Sequence, residues 1–291
     1  MRILITGCGG MLGAAVYAEL KDKYTIYATD IDLNEEWLSY LDVRSFEDLD
    51  RYFKMLEVDA VIHLAALTDN EYCELNALHA YDVNFIGAYN IVRLARQYNI
   101  PVVYISSGGI FGGTKLNYTE EDIPNPLNVY AKSKYAGELA ITSYPKSIVI
   151  RAGWMMGGGP LKDKKFVNKL IKQIREGNKN IYAVKDKIGT PTYTYELAKI
   201  IHYLLANKMY GIFHGVCSGS GSRADIAQEI ILYLGLTDKV SLNVVDSKHF
   251  NKEYFAARPY SEKLENTKLE KGLDWKICLK DYINRFEWKL T

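Results

Sequence analysis

The sequence predicts a doubly wound α/β fold, in which helices cover both faces of a parallel β-sheet. The first half of the chain alternates short β-branched segments with helical patterns, and such alternation is typical of parallel sheets. The predicted strands are apolar along almost their whole length, as expected for strands buried on both faces. With 291 residues, the chain is long enough for this sheet and a smaller second lobe.

Five strands and four helices are predicted as far as Arg151 from the period of their apolar residues. The short, β-branched segments predicted as strands are Arg2–Thr6, Thr25–Thr29, Ala60–Leu64, Val102–Ser106 and Ser147–Arg151. The longer segments predicted as helices between them are Met11–Leu20, Phe46–Leu56, His79–Tyr98 and Val129–Ser143.

After Arg151 the alternation loosens. Gly157-Gly158-Gly159-Pro160 predicts a break, and a basic amphipathic stretch follows at 164–175. The later predicted elements are a strand at Asn180–Val184, a helix at Tyr195–Asn207, a strand at Gly211–Cys217, and a helix at Arg223–Leu234 between the N-cap Ser222 and Gly235. We predict a main domain of residues 1–154 plus about 185–217. Residues of about 155–184 plus 218–291 would form a smaller mixed α+β lobe.

The composition excludes several classes of protein. Thirty-six Lys and Arg against 35 Asp and Glu give a net charge of +1, so no overall basic field attracts nucleic acid or anionic lipid. The apolar stretches are far shorter than the ~20 residues of a membrane span, and the N-terminus has no secretory pattern. The four cysteines are far apart and the five histidines lack ligand spacing, so we expect neither disulfides nor a metal site. A cytoplasmic globular protein is the remaining expectation.

A glycine-rich turn between the first predicted strand and helix indicates dinucleotide binding. Gly7, Gly10 and Gly13 have the spacing G-x-x-G-x-x-G. Gly7 would allow the tight turn, Gly10 the approach of backbone to a pyrophosphate, and Gly13 the close packing of the helix. The helix N-terminus at Met11 and Leu12 would face the phosphates. The sequence therefore predicts a Rossmann domain that binds NAD(P).

The end of the second strand bears on which dinucleotide binds. Asp30 lies near the ~20-residue distance expected for the carboxylate that binds the adenosine ribose hydroxyls. A carboxylate there repels a 2′-phosphate, and no Arg or Lys follows until Arg44. NAD(H) is therefore the preferred cofactor, and NADP(H) stays compatible. An ordinary turn role for Asp30 is the alternative.

Tyr130 and Lys134 form a candidate catalytic pair. Four residues apart in a predicted helix, they would project from one face. Because an ammonium on that face favours the phenolate, we expect Lys134 to lower the pKa of Tyr130 from its usual ~10. The pair would then exchange a proton with a carbonyl or alcohol oxygen. Ser106-Ser107, at the end of the preceding strand, would supply a further hydroxyl.

These features resemble those of a known family. The motifs that carry the resemblance are Thr6-Gly7-x-x-Gly10-x-x-Gly13, Leu41-Asp42-Val43, His63-Leu64-Ala65-Ala66, Val83-Asn84-x-x-Gly87, Asn125-Pro126-Leu127-Asn128-Val129-Tyr130, Arg151-Ala152-Gly153-Trp154, Ile188-Gly189-Thr190-Pro191-Thr192-Tyr193 and Arg258-Pro259. Over nearly the whole chain they resemble those of the extended short-chain dehydrogenase/reductases, and among these the dTDP-4-dehydrorhamnose reductase family. The resemblance implies an NAD(P)H-dependent reductase of a nucleotide-linked 4-dehydro-6-deoxy sugar, as in rhamnose or related deoxysugar biosynthesis.

The resemblance also implies residue roles. Tyr130 would be the proton donor, Lys134 its partner and a ligand of the nicotinamide ribose, and Ser107 the hydroxyl that polarises the substrate carbonyl. The other implied cofactor contacts are Asp42 and Val43 at the adenine, and Leu64, Ala65, Ala66 and Asn84 along the cofactor. The implied contacts to the sugar nucleotide are Trp154 and, more weakly, Thr190 and Arg258. For Trp154 an ordinary core position is an equal alternative.

One stretch departs from the family pattern. Where the family resembles Ser-Thr-Asp-Tyr-Val-Phe-Asp-Gly, this chain has Ser106-Ser107-Gly108-Gly109-Ile110-Phe111-Gly112-Gly113. A 4,6-dehydratase needs an acid/base pair at these positions, so the glycines argue against that chemistry. We also expect Gly108 and Gly109 to leave a roomier and less polar floor beside the reacting sugar carbon.

Two other functions stay open. An NAD-dependent sugar-nucleotide epimerase is favoured by Asp30 and the Ser-Ser-x-x-Ile-Phe-Gly form, and the short chain opposes it. A cofactor-binding regulatory subunit similar to the methionine adenosyltransferase β subunit is favoured by the missing aspartate and opposed by the intact Ser107, Tyr130 and Lys134. The sequence leaves open a homodimer, the sugar, the nucleotide and the stereochemistry at C4.

Two further features have ordinary interpretations. His63, in an apolar strand, is predicted to be a core histidine with its hydrogen bonds made. The run Lys162-Asp163-Lys164-Lys165 is predicted to be a solvated face, with a diphosphate contact as the alternative.

Overall fold

The computed structural model describes residues 1–288. In chain order, its strands are β1 (Arg2–Thr6), β2 (Thr25–Asp30), β3 (Ser39–Tyr40), β4 (Ala60–His63), β5 (Val102–Ser107), β6 (Ser147–Ala152), β7 (Trp154–Met156), β8 (Asn180–Val184), β9 (Ile188–Gly189), β10 (Pro191–Tyr193), β11 (Gly211–His214), β12 (Gly221–Ser222), β13 (Ser241–Val245) and β14 (Ser261–Glu262). Its α-helices are α1 (Met11–Leu20), α2 (Phe46–Leu56), α3 (Asn70–Leu75), α4 (Ala77–Tyr81), α5 (Gly87–Gln97), α6 (Val129–Thr142), α7 (Gly159–Lys162), α8 (Phe166–Arg175), α9 (Thr194–Ala206), α10 (Arg223–Tyr233) and α11 (Trp275–Arg285).

Seven strands form the central sheet, in the order β3-β2-β1-β4-β5-β6-β11. Every neighbouring pair is parallel. The order reverses between β1 and β4, because the chain runs outward from β1 to β3 and then crosses back to start β4. In open α/β sheets, ligands bind beyond the carboxyl ends of the strands at such a reversal. The predicted parallel sheet is confirmed, and its geometry points to a site after β1 and β4.

Helices cover both faces of this sheet. On one face, Ile5 and Ile62 of the sheet share a core with Val16 of α1 and Ile201 of α9. On the other face, Leu4 and Val61 share a core with side chains of α2, α5 and α6. Successive residues of one strand therefore bury on opposite faces, which explains why the strands are almost uniformly apolar.

The single helix predicted at His79–Tyr98 is interrupted. After α4, a π-helical turn covers Asp82–Ile86, and α5 begins at Gly87. A π-turn inserts an extra residue into the helix and is often found at functional sites. Here it carries Asn84, whose side chain is fully buried. Apolar periodicity follows the helix face and does not report this change in hydrogen bonding.

The second lobe has its own apolar core. Ile171 of α8, Ile181 of β8, Ile230 of α10, and Trp275 and Tyr282 of α11 are all buried in it. This lobe contains the parallel pair β8–β13 and the small sheet β12-β9-β14. The lobe therefore holds together by apolar packing around short strands.

The boundary between the lobes differs from the prediction. β9 pairs with β12 and β14, and β10 pairs with β7, so residues 188–193 lie outside the central sheet. The chain returns to the central sheet through α9, which contacts α1, and β11, which pairs with β6. We therefore place the return at residue 194 rather than at about 185. The end of the predicted small lobe, 289–291, lies outside the described residues.

The predicted cap of α10 is confirmed. Ser222 Oγ accepts a hydrogen bond from Asp225 N at 3.1 Å, and Asp225 Oδ2 accepts one from Ser222 N at 2.7 Å. Gly235, with φ +64°, follows the helix as predicted.

Within residues 1–288, no helix combines the length and apolar character that a membrane crossing requires. The same residues contain no group of three or more His, Cys, Asp or Glu side chains that could hold a metal ion.

Candidate active site

The glycine turn after β1 is shaped by two close backbone contacts. Gly7 has φ +71°, and a methyl group added to it would lie 2.4 Å from Ala65 N, in the segment after β4. A methyl group on Gly13 would lie 2.3 Å from the carbonyl oxygen of Cys8. Neither distance tolerates a side chain. Gly13 thus lets α1 pack against the turn itself, whereas close packing on the sheet was the expectation.

The N-terminus of α1 is open to an anion. Gly10 is the N-cap and offers no side-chain acceptor, whereas Ser45 and Asn128 cap α2 and α6. Within the described chain, a methyl group on Gly10 would approach only Gly7 O, at 3.5 Å. Met11 is half-buried and Leu12 is buried at the start of the helix. This open backbone with uncapped N–H groups fits the pyrophosphate of a dinucleotide.

Asp30 lies beside the glycine turn, at the end of β2. Its Oδ2 accepts a hydrogen bond from Gly9 N at 2.9 Å, and its Oδ1 accepts one from Asp32 N at 3.1 Å. Each carboxylate oxygen keeps a free lone pair. The side chain therefore stabilises the turn and is placed where it could also accept ribose hydroxyls.

Lys162 brings a cation to the same turn from the second lobe. Its Nζ lies 3.0 Å from Gly9 O, 2.9 Å from Asn34 Oδ1 and 2.9 Å from Glu35 Oε1. No Arg or Lys follows Asp30 closely in the sequence, but in the folded chain α7 brings the side chain of Lys162 to this turn. The expectation of a solvated face for this residue is therefore wrong, because Lys162 is engaged with the glycine turn.

The other predicted cofactor residues follow β3 and β4. Asp42 is paired with Arg44 at 2.6 Å, and this guanidinium lowers the pKa of the Asp42 carboxyl. Val43 is buried. The segment after β4, Leu64-Ala65-Ala66, is half-buried, and Leu64 N donates to Thr6 O at 3.0 Å. One segment follows β3 and the other follows β4, so they lie on either side of the point where the strand order reverses.

Asn84 is bonded to the protein on all sides. Its Oδ1 accepts from Leu67 N at 2.8 Å, while its Nδ2 donates to Leu67 O at 3.0 Å and to Ser133 Oγ at 2.9 Å. It therefore joins the segment after β4 to the helix that carries Tyr130. We assign it a positioning role, and direct contact with the cofactor stays a prediction.

Ser107 and Tyr130 face one space above Gly109. A methyl group added to Gly109 would lie 3.3 Å from Ser107 Oγ and 3.9 Å from Tyr130 Cε1. Ser107 Oγ also accepts a hydrogen bond from Gly109 N at 3.1 Å. Since β5 ends at Ser107 and α6 begins at Val129, the two hydroxyls meet at the carboxyl edge of the sheet. Two hydroxyls in this arrangement can both bond one carbonyl oxygen.

The pKa of Tyr130 does not fall as expected. Burial raises it to about 12; the hydrogen bond with Ser107 opposes the rise, and the Glu262 carboxylate adds to it. Lys134 is itself buried, its Nζ lies 4.2 Å from the centre of the Tyr104 ring, and burial lowers its pKa to about 7. In the protein alone, desolvation of both groups outweighs the expected lowering of the Tyr130 pKa by an ammonium.

His63 is a core residue, as expected, although only half of its hydrogen bonding is satisfied. Its Nδ1 lies 2.7 Å from Thr6 Oγ1, while Nε2 is buried and has no partner among the described residues. Burial lowers its pKa to about 3. The imidazole is therefore neutral.

Trp154 lies in a wall that faces the catalytic hydroxyls. A methyl group on Gly189 would lie 2.3 Å from Trp154 Cε2, so the indole packs directly on that backbone. The Arg223 guanidinium lies 3.9 Å from the centre of the indole ring. Burial raises the pKa of the Glu262 carboxyl, and the Arg223 guanidinium and the Trp154 indole oppose this rise. Trp154 therefore belongs to a polar wall rather than to a plain core.

The floor beside the hydroxyls is neither roomy nor apolar, so that expectation is wrong. A methyl group on Gly108 would lie 3.3 Å from Leu264 Cδ1 and 3.4 Å from Glu262 O. One on Gly109 would lie 3.6 Å from Glu262 Oε2. The segment that starts with β14 fills the space that the two glycines leave and adds a carboxylate to it.

The two weaker predicted substrate contacts are engaged with the protein. Thr190 is fully buried, and its hydroxyl donates to Leu264 O at 3.4 Å and accepts from Leu264 N at 3.0 Å. It thus has a structural role, contrary to expectation. Arg258 forms a two-pronged ion pair with Glu71, at 2.7 and 2.9 Å, and remains 28% exposed. A contact between Arg258 and a nucleotide sugar stays a prediction.

The sequence does not indicate the position of Glu262, and for Lys165 it indicates only a solvated face or a diphosphate contact. Glu262 is carried to the site by a two-residue strand, and Lys165 Nζ reaches Thr68 O and Oγ1, both at 3.1 Å, across the lobes. Neither lies at a diagnostic spacing from Tyr130 or Gly7. Only the fold brings them together.

Comparison with known proteins points in the same direction as this geometry. A family model described as RmlD substrate binding domain matches residues 1–287. The spore coat polysaccharide biosynthesis protein SpsK of Bacillus subtilis (strain 168) is 31% identical, over 97% of this chain and 96% of its own. The dTDP-4-dehydrorhamnose reductase of Aggregatibacter actinomycetemcomitans is 30% identical, over 96% and 97%.

A solved structure resembles the fold closely. It is the dTDP-4-dehydrorhamnose reductase of Bacillus anthracis in complex with NADP, which is 29% identical, with a TM-score of 0.89 over 98% of this chain and 99% of that one.

Proposed function

This chain belongs to the RmlD substrate binding domain family, and we propose that it is an NAD(P)H-dependent reductase of a nucleotide-linked 4-dehydro-6-deoxyhexose. The proposed activity resembles that of dTDP-4-dehydrorhamnose reductase. The observation that carries the proposal is the convergence of the Ser107 and Tyr130 hydroxyls above Gly109, at the edge of the sheet where the glycine turn also lies. We place the protein in polysaccharide precursor synthesis, as the relationship to SpsK suggests.

The chain's own residues supply the proton that the reduction consumes. When bound, the reduced nicotinamide supplies a hydride to C4 of the sugar. Ser107 donates a hydrogen bond to the C4 carbonyl oxygen and draws electron density from the carbon. Tyr130 delivers its proton to that oxygen, so that ketone, hydride and proton together give the alcohol. Because its pKa is about 12, the phenol is protonated at neutral pH and ready to act as the acid.

Lys134 is placed to assist the transfer of the proton from Tyr130. It follows Tyr130 by one helical turn and is buried against Tyr104. We assign it to the nicotinamide ribose, whose hydroxyls would replace the water that burial has removed from Nζ. A charged Lys134 would then favour the tyrosinate left after proton transfer.

Both nicotinamide cofactors fit the turn. Asp30 can accept the 2′-hydroxyl of NAD(H), and Lys162 lies close enough to Gly9 to attract the 2′-phosphate of NADP(H). The contacts we assign to the cofactor are Gly7, Gly10, Met11, Leu12, Gly13, Asp30, Asp42, Val43, Leu64, Ala65 and Ala66, with Tyr130 and Lys134. We further infer a cytoplasmic location and leave homodimer formation as a proposal.

The reductase is favoured over the two alternatives by its relatives of known activity. An epimerase would return the hydride to its own substrate within each cycle, and a regulatory subunit would need no proton donor. An epimerase would require Ser107, Tyr130 and Lys134, which this chain retains. A regulatory subunit would not require them.

The decisive experiment adds purified protein to NADH or NADPH and dTDP-4-dehydro-6-deoxyhexoses. We expect the absorbance of the reduced nicotinamide to fall and a dTDP-6-deoxyhexose to accumulate in equal amount. Sugar interconversion without added cofactor would indicate the epimerase. Absence of any turnover, together with co-purification of a second enzyme, would indicate the regulatory subunit.

A further inference from the structure

Glu262 places a carboxylate at the catalytic hydroxyls from the opposite lobe. A methyl group placed on Gly109 would lie 3.3 Å from Ser107 Oγ, 3.9 Å from Tyr130 Cε1 and 3.6 Å from Glu262 Oε2, so all three side chains approach one point. A sugar whose C4 oxygen meets Ser107 and Tyr130 must therefore bring a neighbouring part of its ring to Glu262.

Glu262 lies beside an indole and several positive charges. The Arg223 guanidinium, which stacks on the Trp154 indole at 3.9 Å, lowers the pKa of the Glu262 carboxyl, and so do Trp154, Arg258 and Lys187, against the larger effect of burial. The two carboxylate oxygens offer about four lone-pair sites, so the group keeps acceptor capacity toward the cleft. It can therefore accept a further hydrogen bond, and a hydroxyl is the donor a neutral sugar offers.

The two glycines keep this position open for Glu262. A side chain at position 108 would press on Leu264 Cδ1, at 3.3 Å, and on Glu262 O, at 3.4 Å. A side chain at position 109 would occupy the space between Glu262 and the catalytic hydroxyls. The polar group that recognises the sugar is thus supplied by β14 rather than by the segment after β5.

We propose that Glu262 is a specificity residue that accepts a hydrogen bond from the C3 hydroxyl of the sugar. The inference rests on the proposed reductase function. Of the two carbons next to the ketone, C5 carries the C6 methyl group and the ring oxygen, and only C3 carries a hydroxyl. Since Ser107 and Tyr130 fix the C4 oxygen, the hydroxyl next to it is the one within reach of Glu262.

The test compares substrates with and without that hydroxyl. Wild type, Glu262→Leu and Glu262→Gln are assayed with dTDP-4-dehydro-6-deoxyhexose and with its 3-deoxy analogue. Glu265→Gln is the control, because Glu265 is an exposed carboxylate three residues along the same segment. The melting temperature of each variant is measured alongside the kinetics. Glu262→Gln retains the shape of the side chain and a carbonyl oxygen that can accept a hydrogen bond from Trp154.

We expect wild type to prefer the 3-hydroxy substrate by about 30-fold in kcat/KM, because a site built for a hydroxyl discriminates against its loss. In Glu262→Leu the KM for the 3-hydroxy substrate should rise about 30-fold, whereas that for the 3-deoxy analogue should change less than about twofold. Glu262→Gln should give an intermediate preference, and Glu265→Gln should behave as wild type. An equal loss on both substrates, or an unchanged preference in Glu262→Leu and Glu262→Gln, would overturn the inference.

A binding measurement separates this inference from the proposed function. Calorimetry with dTDP-glucose and dTDP-3-deoxyglucose needs no turnover. If wild type reduces none of the ketosugars but binds dTDP-glucose more tightly through Glu262, the reductase proposal fails while the specificity role stands. If wild type reduces the ketosugars and Glu262→Leu binds both ligands as wild type does, the reductase proposal stands and the specificity role fails.

Discussion

At the scale of single residues, Tyr130 is the proposed general acid, because burial raises its pKa and keeps the phenol protonated at neutral pH. Tyr130→Phe keeps the ring and deletes the hydroxyl. We expect kcat to fall about 10²- to 10⁴-fold, as is typical for loss of a general acid. Fluorescence titration with NADPH should give only a small change in Kd, because the ring that contacts the cofactor is kept. Tyr135→Phe, which removes a hydroxyl from the same helix beside the small apolar cluster of Phe111, should retain activity. Equal activity of the two variants would exclude Tyr130 as the acid.

Burial of Lys134 should make the stability of the cofactor-free protein depend on pH. Its folded pKa, about 7, lies below the ordinary value of 10.5, so between these values the folded chain binds fewer protons than the unfolded chain. Stability therefore rises with pH across this window, and the cost of burial is complete below it. Lys134→Met removes that cost. We expect the variant to melt about 5 °C above wild type near pH 7.

The difference in melting temperature should shrink as the pH approaches 10, because both states of wild type then lose the proton. Circular dichroism melts at several pH values measure it. Lys132→Met, an exposed lysine two residues earlier on α6, should show no such trend. A gap that stays constant with pH would mean that Lys134 is not buried as a neutral amine.

The role of a residue is best predicted from the sequence where its partner residue is close to it along the chain. Tyr130 and Lys134 are one helical turn apart, so spacing alone places them on one face. Glu262 and Lys162 are far from the residues they serve, and nothing in their immediate sequence indicates those partners. The predicted lowering of the Tyr130 pKa fails for a related reason, because burial depends on the whole fold.

At the scale of elements, the glycine turn offers a matched pair of variants. Gly10 has φ −76° and ψ 179°, which alanine adopts without strain, and a methyl group there contacts little of the protein. Gly10→Ala should therefore fold normally but weaken NADPH binding at least about tenfold, because the methyl group blocks the pyrophosphate. A calorimetric Kd and a melting curve on the same sample provide the check.

Gly13→Ala should behave in the opposite way. Its methyl group would lie 2.3 Å from Cys8 O, so the backbone must move, at a cost of about 1–3 kcal/mol or more in the free energy of unfolding. Urea unfolding of the two variants side by side distinguishes them. If Gly10→Ala proved the less stable of the two, the turn would not have the role assigned here.

Long elements follow from the sequence and short ones do not. The first five predicted strands and helices α1, α2, α6 and α10 match the structure to within a residue or two at each end, because apolar periodicity extends over their whole length. The strand predicted at Gly211–Cys217 ends three residues early, at His214. The π-turn at Asp82–Ile86 is not predicted, because the apolar pattern does not change there and only Asn84 distinguishes the segment. Strands of two or three residues, such as β9 and β14, are too short to show any alternation.

At the scale of the whole molecule, Lys162 connects the second lobe to the cofactor turn. Lys162→Met removes the charge that faces Gly9. We expect the Kd for NADPH to rise about threefold to tenfold, with that for NADH nearly unchanged, since Glu35 already offsets part of the charge. Nicotinamide fluorescence titrations give both values. Lys164→Met, an exposed neighbour, is the control. Parallel losses for the two cofactors would contradict a contact with the 2′-phosphate.

The fold class is predictable at this scale because strand–helix alternation is repeated along the first half of the chain and the glycine spacing marks its first turn. The wall beside the Ser107 and Tyr130 hydroxyls is not predictable, since Trp154, Gly189, Arg223 and Glu262 lie far apart in the sequence. Their meeting depends on the small sheet β12-β9-β14, whose pairing is set by tertiary packing.

The lobe that follows residue 154 contributes both Lys162 at the glycine turn and Glu262 at the catalytic hydroxyls. The proposed determinants of NADP(H) affinity and of sugar choice therefore lie in one contiguous stretch of gene, whereas Asp30 lies outside it. We expect a recombinant that joins the first 154 codons of this protein to the remainder of a relative to acquire the donor's sugar preference and the donor's residue at position 162 in a single crossover.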